Sequence, residues 1–525
     1  MKCVNCGKDF EKGKFCRYCG HKLEQEIVNS DVGKRTKIRY NGLIERLKSK
    51  EYLIVIGIIL FALVIRMIYF NMNTAIWWDE GEYLSMAKVF SGQVHSQWWE
   101  IRPVIMSLIW AGMYKIGIGS EVMFRFTELL FSIAGIVLLY YLAKDMFNMK
   151  VAIISSLLLS VFWLDIFYSS RLLMDVPSAT MATLLAFLFW HGYVKGKRYC
   201  LWLLGPAMGL GIMLRFTVGI MAIVILMYLL ITERFRFLKN KDLWICAVTV
   251  FLVLSPYLMW SYVSYGNPLH PLIGSQGVIS EQSPGYEKGL MGYLAWFPPH
   301  YLHWVILVLL IVGFYYFIDF FLGLDMLFSQ KNKKLNKYLF LFLWIILTLC
   351  YFSFMVGHDE DRYLLPLFPA IFMIASLGAF LVYTKISKFS RIIAVLVLVI
   401  LLGAGAYQQL TYGNLIIMGK ASSFSHVKET ALWIKDHSSE DDYIVTGYQP
   451  IVSYYSSRSS FMFPKSEGEF NNWPNKDKLK YFVLFAEDYD KDKWEFQYPV
   501  NNNLTVAKAF YSESSQPMVV IYNMG

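Results

Sequence analysis

The sequence predicts an all-α polytopic membrane domain with a small metal-binding ribbon at its N-terminus and a small α/β domain at its C-terminus. Composition comes first: of 525 residues 56% are hydrophobic and 17% charged, with a mean hydropathy of +0.42, outside the range of soluble globular chains. The apolar residues fall in blocks of about 20, the length that crosses about 30 Å of hydrocarbon. The first 50 residues and the last hundred or so are polar by contrast, so a soluble piece is expected at each end.

Residues 1–25 hold Cys3, Cys6, Cys16 and Cys19 in the pattern C-x2-C-x9-C-x2-C. Each CxxC hook can place two thiolates on one ion, and two hooks complete a tetrahedral zinc shell. Gly7 and Gly20 follow the hooks, where a knuckle turn needs a residue without a side chain. A disulfide pair or a redox motif would need the same cysteines. A structural zinc ribbon is favoured by the spacing and by the reducing cytosol that the charge pattern assigns to this end. Cys200, Cys246 and Cys350 lie in apolar segments and read as small buried hydrophobes. Residues 26–50 form a basic linker. No apolar run precedes a small-residue cleavage site, so no cleaved signal peptide is expected.

Eleven spans are expected near 51–70, 121–143, 151–169, 177–194, 200–213, 217–232, 242–262, 301–323, 338–356, 364–384 and 391–409. The net charge of +10 does not form a nucleic-acid patch. Loops 144–150, 195–198, 234–241, 331–337 and 385–391 hold sixteen Lys and Arg residues, whereas the alternate loops carry isolated ones such as Arg171, Lys288 and Arg362. The positive-inside rule makes the first group cytoplasmic. The N-terminus is then cytoplasmic, and the C-terminal region lies outside a cell (plasma) membrane. Residues 103–118 are apolar enough for a short span, but a crossing there would invert every later loop. Segment 75–118 is therefore expected as an outer loop with helices along the interface, anchored by Trp77, Trp78, Trp98, Trp99 and Trp110. Residues 51–411 make the membrane domain and 412–525 the outer domain, in which 427–435 reads as a helix and 442–446 and 481–485 as strands. Asn503-Leu504-Thr505 is an N-glycosylation pattern on the outer side.

Ionisable residues at the mouth of a helix bundle are functional candidates. Asp79, Glu80 and Glu82 follow the first span, and mutual repulsion is expected to raise at least one toward the range of a general base. An acidic helix start would also suit the helix dipole without chemistry. Asp175 lies in Arg171-Leu172-Leu173-Met174-Asp175-Val176-Pro177, where it could simply cap a helix. Arg362 and Tyr363 follow His358, Asp359, Glu360 and Asp361, which could form a surface ion cluster. Arg66, Arg102, Arg125 and Arg215 are isolated cations near the outer face. Arginine there can snorkel to lipid or fork a phosphate.

In this order the motifs resemble the GT-C membrane glycosyltransferases, in the branch of protein O-mannosyltransferases and lipid A aminoarabinose transferases. They are an Arg closing span 1, an Asp-Glu pair, Arg102-Pro103, Arg125, R-x3-D-x-P and Arg-Tyr-Leu-Leu-Pro. The resemblance covers about 51–410 and implies a GT-C fold and sugar transfer from a polyprenyl (dolichyl)-phosphate carrier to an acceptor hydroxyl on a protein, lipid or glycan. It implies that Asp79, with Glu80, is the acceptor-side acid and proposed base, and that Asp175 is the second acid of the cavity. Arg102, Arg125, Arg362 and Tyr363 would approach the carrier phosphate, and no metal would be needed in the catalytic site. Val104 stands where such proteins often have a second proline, which changes the local loop. The ribbon is not part of that family's core. Two other classes remain open on the residues, a lipid-linked glycan flippase and a non-catalytic zinc-ribbon sensor. Trp77-Trp78-Asp79 also resembles the signature of oligosaccharyltransferases, but no Asp-x-Asp pair follows it.

Overall fold

The computed structural model describes residues 50–93, 101–280, 289–322, 336–357, 359–474, 476–512 and 515–524. Cys3, Cys6, Cys16 and Cys19 lie outside the described residues. Contacts divide the chain into Met1–Gly57 and Ile58–Gly525. The described part of the first unit is the opening of α1 (Lys50–Tyr69), and the rest of the description concerns the second unit.

The helices then run in order. They are α2 (Trp78–Ser91), α3 (Ile105–Lys115), α4 (Glu121–Met146), α5 (Met149–Val161), α6 (Trp163–Tyr168), α7 (Asp175–Phe189), α8 (Arg198–Leu214), α9 (Ile220–Glu233), α10 (Lys241–Tyr265) and α11 (His270–Ser280). There follow α12 (Leu290–Trp296), α13 (His303–Gly313), α14 (Tyr315–Leu322), α15 (Asn336–Met355), α16 (Phe368–Ile386) and α17 (Arg391–Lys420). Eight helical segments among the described residues are long and apolar enough to cross a membrane. The other three expected segments also form helices, as α5, as α7 with a π turn to Val194, and as α8. The chain is a multi-pass membrane protein. Polar caps punctuate the apolar runs. Ser120 accepts from Met123 N, Asn148 from Lys150 N and Val151 N, and Ser390 from Ile393 N, each satisfying an amide that the helix itself leaves open. The 11 residues of α3 rise about 16 Å, half the hydrocarbon thickness, so α3 is too short to cross.

Of the most apolar 18 residues of Asp361–Ile386, 78% are buried, against 6% of those of Lys241–Tyr265, which turns Val248, Phe251 and Leu252 outward. Such apolar exposure suits a hydrocarbon surround. Glycines let α13 and α16 touch backbone to backbone. A Cβ on Gly378 would lie 1.9 Å from the Leu309 carbonyl oxygen, and one on Gly313 would lie 2.0 Å from that of Ile374. Arg66 is not a snorkelling cation. Its guanidinium is buried, pairs with Asp165 at 2.5 Å and donates to Ser132 Oγ at 2.6 Å, tying α1, α4 and α6 together.

Helix α17 runs unbroken to Lys420, so the boundary expected at 411 falls inside it. Beyond it, α18 (Ser425–His437) and α19 (Gln449–Ser456) accompany a five-stranded sheet, with α20 (Glu467–Asn471) and α21 (Trp494–Asn501). Its strands are β1 (Tyr443–Thr446), β2 (Ser459–Phe461), β3 (Leu479–Phe485), β4 (Val506–Tyr511) and β5 (Pro517–Asn523), in the order β2-β1-β3-β5-β4. β1 is parallel to β2 and β3, and β5 is antiparallel to β3 and β4. Val445, Phe470, Phe482 and Tyr498 form the core on one side of this sheet. The two expected strands are β1 and β3, and the expected helix is α18.

The C-terminal domain is bound closely to α2. A Cβ on Gly81 would lie 2.9 Å from the Pro450 carbonyl carbon, so only glycine allows α2 and α19 this approach. Lys88 Nζ donates to Tyr454 O at 2.6 Å and to Ser457 Oγ at 3.0 Å, and the Tyr455 hydroxyl accepts from Ile76 N at 3.1 Å.

Candidate active site

Helix α2 begins just after the first span, with Trp77 in extended conformation before it. Asp79 is in its first turn, where the helix dipole favours an anion. Both carboxylate oxygens are taken by guanidinium groups: Arg102 Nη2 lies 2.5 Å from Oδ1 and Arg362 Nη2 lies 2.8 Å from Oδ2. Burial pushes the Asp79 carboxyl upward, but Arg102 and Arg362 together outweigh it and hold the group below the ordinary carboxylate range. At Asp79 itself the upward shift is therefore not found, because a guanidinium group holds each of its oxygens.

The same arginines extend the network. Arg362 bonds Glu360, and its Nη1 lies 3.9 Å from Asp175 Oδ2. Asp175, the first residue of α7 and 2% exposed, bonds Arg215 through Oδ1. Tyr363 donates to Glu360 Oε1 at 3.1 Å and stacks on Phe352, with ring centres 5.3 Å apart. All of these side chains line one cavity of about 900 Å³, at the upper end of small-molecule sites. Its charged lining is Asp79, Asp175 and Glu360 against Arg102, Arg215 and Arg362, three of each sign. The remaining wall is largely apolar, with Phe216, Ile220, Ile223, Leu272 and Val356 among it. Among the described residues no three His, Cys, Asp or Glu side chains gather as metal ligands.

Two sequence-derived candidates are not in this cavity. Glu80 is 1% exposed and accepts from Trp77 N at 2.5 Å and Leu172 N at 2.6 Å, with Arg171 Nη1 at 3.7 Å. It fastens α2 to the loop before α7. One residue along a helix is a turn of about 100°, so Glu80 faces away when Asp79 faces the cavity. Arg125 is 3% exposed, and its donors go to Asn71 Oδ1 at 2.7 Å, Asn73 O at 3.2 Å and Glu121 Oε2 at 3.2 Å. It fixes the turn after α1. Arg171 is likewise internal, its guanidinium 4.0 Å from the centre of the Trp77 ring. Arg215 stands on the cavity wall instead. The sequence grouped it with the isolated cations, and the one signal of its place is that it separates two apolar helices.

The fold is that of the GT-C membrane glycosyltransferases. It is similar to ArnT from Cupriavidus metallidurans bound to undecaprenyl phosphate, with a TM-score of 0.65, 13% identity and coverage of 90% of this chain and 98% of that one. The oligosaccharyltransferase AglB from Archaeoglobus fulgidus, in complex with an inhibitory peptide and a dolichol-phosphate, gives a TM-score of 0.61 at 11% identity over 91% of this chain and 74% of that one. The arabinofuranosyltransferase AftD from Mycobacteria gives 0.53 at 13% identity over 89% and 40%. More narrowly, residues 101–260 match the sequence family described as dolichyl-phosphate-mannose-protein mannosyltransferase. That stretch includes Arg102, Asp175 and Arg215 and stops short of Arg362. No curated protein matches this chain in sequence.

Proposed function

We propose that this protein is a membrane glycosyltransferase that moves a hexose or related sugar from a polyprenyl-phosphate carrier to an acceptor hydroxyl on the extracytoplasmic face. The observation that carries the reading is Asp79 held between Arg102 and Arg362 on the wall of a cavity that combines six charged side chains with apolar ones. The charged groups suit sugar and phosphate, and the apolar residues suit the first isoprene units. The match of residues 101–260 to the mannosyltransferase family adds independent support.

Asp79 is the base and Asp175 the second acid of the site. The entering donor phosphate competes with Asp79 for Arg102 and Arg362, which frees a carboxylate oxygen to accept the acceptor hydroxyl proton. The acceptor oxygen attacks the anomeric carbon opposite the phosphate. The new C–O bond forms as the bond from that carbon to the phosphate oxygen breaks, with inversion. The polyprenyl phosphate leaves with one more negative charge, and the arginines stabilise the charge as it develops. Tyr363 sits beside this fork. A single phosphate needs less neutralisation than a nucleotide diphosphate, so the arginines serve where other enzymes use a divalent ion. We propose zinc only for Cys3, Cys6, Cys16 and Cys19, which lie outside the described residues.

The test is a transfer assay with purified protein in lipid vesicles, given polyprenyl-phosphate sugars one at a time. Acceptors are identified by comparing surface glycans of a deletion strain by mass spectrometry. Acceptor-dependent release of polyprenyl phosphate is expected. Carrier that crosses the bilayer with its sugar still attached points to a flippase and overturns the reading.

A further inference from the structure

We propose that Arg215, released by Asp175, is the cation that docks the carrier phosphate. This rests on the reading above and goes beyond it, because it names a residue and an exchange of partners. Arg215 has extended backbone between α8 and the turn Phe216–Gly219, and Phe216, Ile220 and Ile223 of the same segment line the cavity. One stretch of chain thus supplies a guanidinium and the apolar wall directly beside it. A polyprenyl phosphate has the same sequence of chemistries, an anion joined to a hydrocarbon chain. Its phosphate belongs at that junction.

The partners of Arg215 make the exchange easy. Its side chain is 17% exposed, whereas that of Asp175 is 2% exposed, so the wet side of the pair is the arginine. When Arg215 turns to a phosphate, Asp175 still has Arg362 Nη1 at 3.9 Å, and its charge is not left alone. Arg102 and Arg362 are placed differently. Each already holds one oxygen of Asp79, and Arg362 holds Glu360 as well, so a phosphate that relied on them alone would have to take partners from Asp79 before any other cation held it. Arg215 gives the phosphate a first foothold, and the competition for Asp79's partners comes second. Arg125 is bound into the turn after α1 and leaves this role to Arg215.

The experiment is equilibrium binding of undecaprenyl phosphate, without sugar or acceptor, to the full chain in nanodiscs. Arg215→Gln is expected to weaken binding by about 10- to 100-fold, the range for a hydrogen bond to a charged group. Arg215→Lys keeps the charge without the fork and should fall between. Asp175→Asn removes the competing anion and is expected to tighten carrier binding while slowing turnover. A merely structural pair would lose binding in both variants, and that common sign overturns the proposal. The Lys and Asn variants decide the matter should the Gln variant fail to fold. Wild-type binding that Arg215→Gln leaves unchanged sinks this inference alone, and a wild-type protein that does not bind sinks the functional reading with it.

Discussion

Asp79→Asn separates the chemical part of Asp79 from its electrostatic part. The substitution keeps shape and removes one negative charge from a cavity lined by three carboxylates and three arginines. Without a base the acceptor hydroxyl must lose its proton unaided. General-base help is worth about 10² to 10⁴ in rate, or ~3 to ~5.5 kcal/mol of barrier. Carrier binding should move the other way. At about 6 Å and an effective dielectric near 20, two unit negative charges repel by ~3 kcal/mol at most, and the variant loses that repulsion. Arg362 keeps Glu360 and Asp175 as partners, so the fold should survive, which thermal unfolding would check. The assay is turnover of a polyprenyl-phosphate sugar alongside binding of undecaprenyl phosphate. The expected outcome is turnover reduced at least 100-fold with carrier affinity equal or higher. Turnover within threefold of wild type, or a parallel loss of binding, would refute the assignment.

Three further outcomes follow from geometry already described. Gly81→Ala places a methyl 2.9 Å from backbone of Pro450, so it should destabilise the protein by about 1–3 kcal/mol and lower turnover, and unchanged melting would contradict the contact. Asp79 has a folded-state pKa below its unfolded value, so its contribution to stability is present above about pH 4 and is lost as pH falls through the folded value. The melting difference between wild type and Asp79→Asn should stay level from about pH 5 to 8, and an acid limb near pH 6 that disappears in the variant would disprove the arginine clamp. Transfer by a version of the chain starting at Gly33 should survive a strong chelator. Loss that Mg²⁺ or Mn²⁺ restores would mean that the site takes a metal.

Much of the architecture was legible because hydrocarbon imposes a simple grammar: long apolar runs, polar caps and basic loops. All eleven expected segments correspond to helices, and the apolar stretch that loop charge kept out of the count of spans holds a helix of only 11 residues. The tail was harder. β2 has three residues and β4 faces solvent along much of its length, so neither carries a strong hydrophobic pattern. In the cavity, Asp79, Asp175, Arg102, Arg362 and Tyr363 stand beside prolines or span ends, where the chain leaves the bilayer and side chains can turn inward together. Glu80 and Arg125 carry the same charges at similar depth, but helical phase turns them toward the backbone they hold. Type and depth were readable in the sequence, whereas the direction of each side chain needed α2 and α4 in place. Arg215 was singled out as an outer-face cation but given no place in the site, since it can equally be a lipid-facing cation until the segment after α8 turns it inward.

The contact between α19 and α2 ties the C-terminal domain to the wall of the cavity. Gly81, Ser85 and Lys88 rest on Pro450, Tyr454 and Ser457, only a few residues from Asp79. Chimeras that exchange the tail therefore also change the surface on which α2, and with it Asp79, is seated. A graft that matches in every sheet residue but meets a bulkier side chain at Gly81, or brings another backbone path at Pro450, pushes α2 out of place although the membrane helices themselves are unchanged.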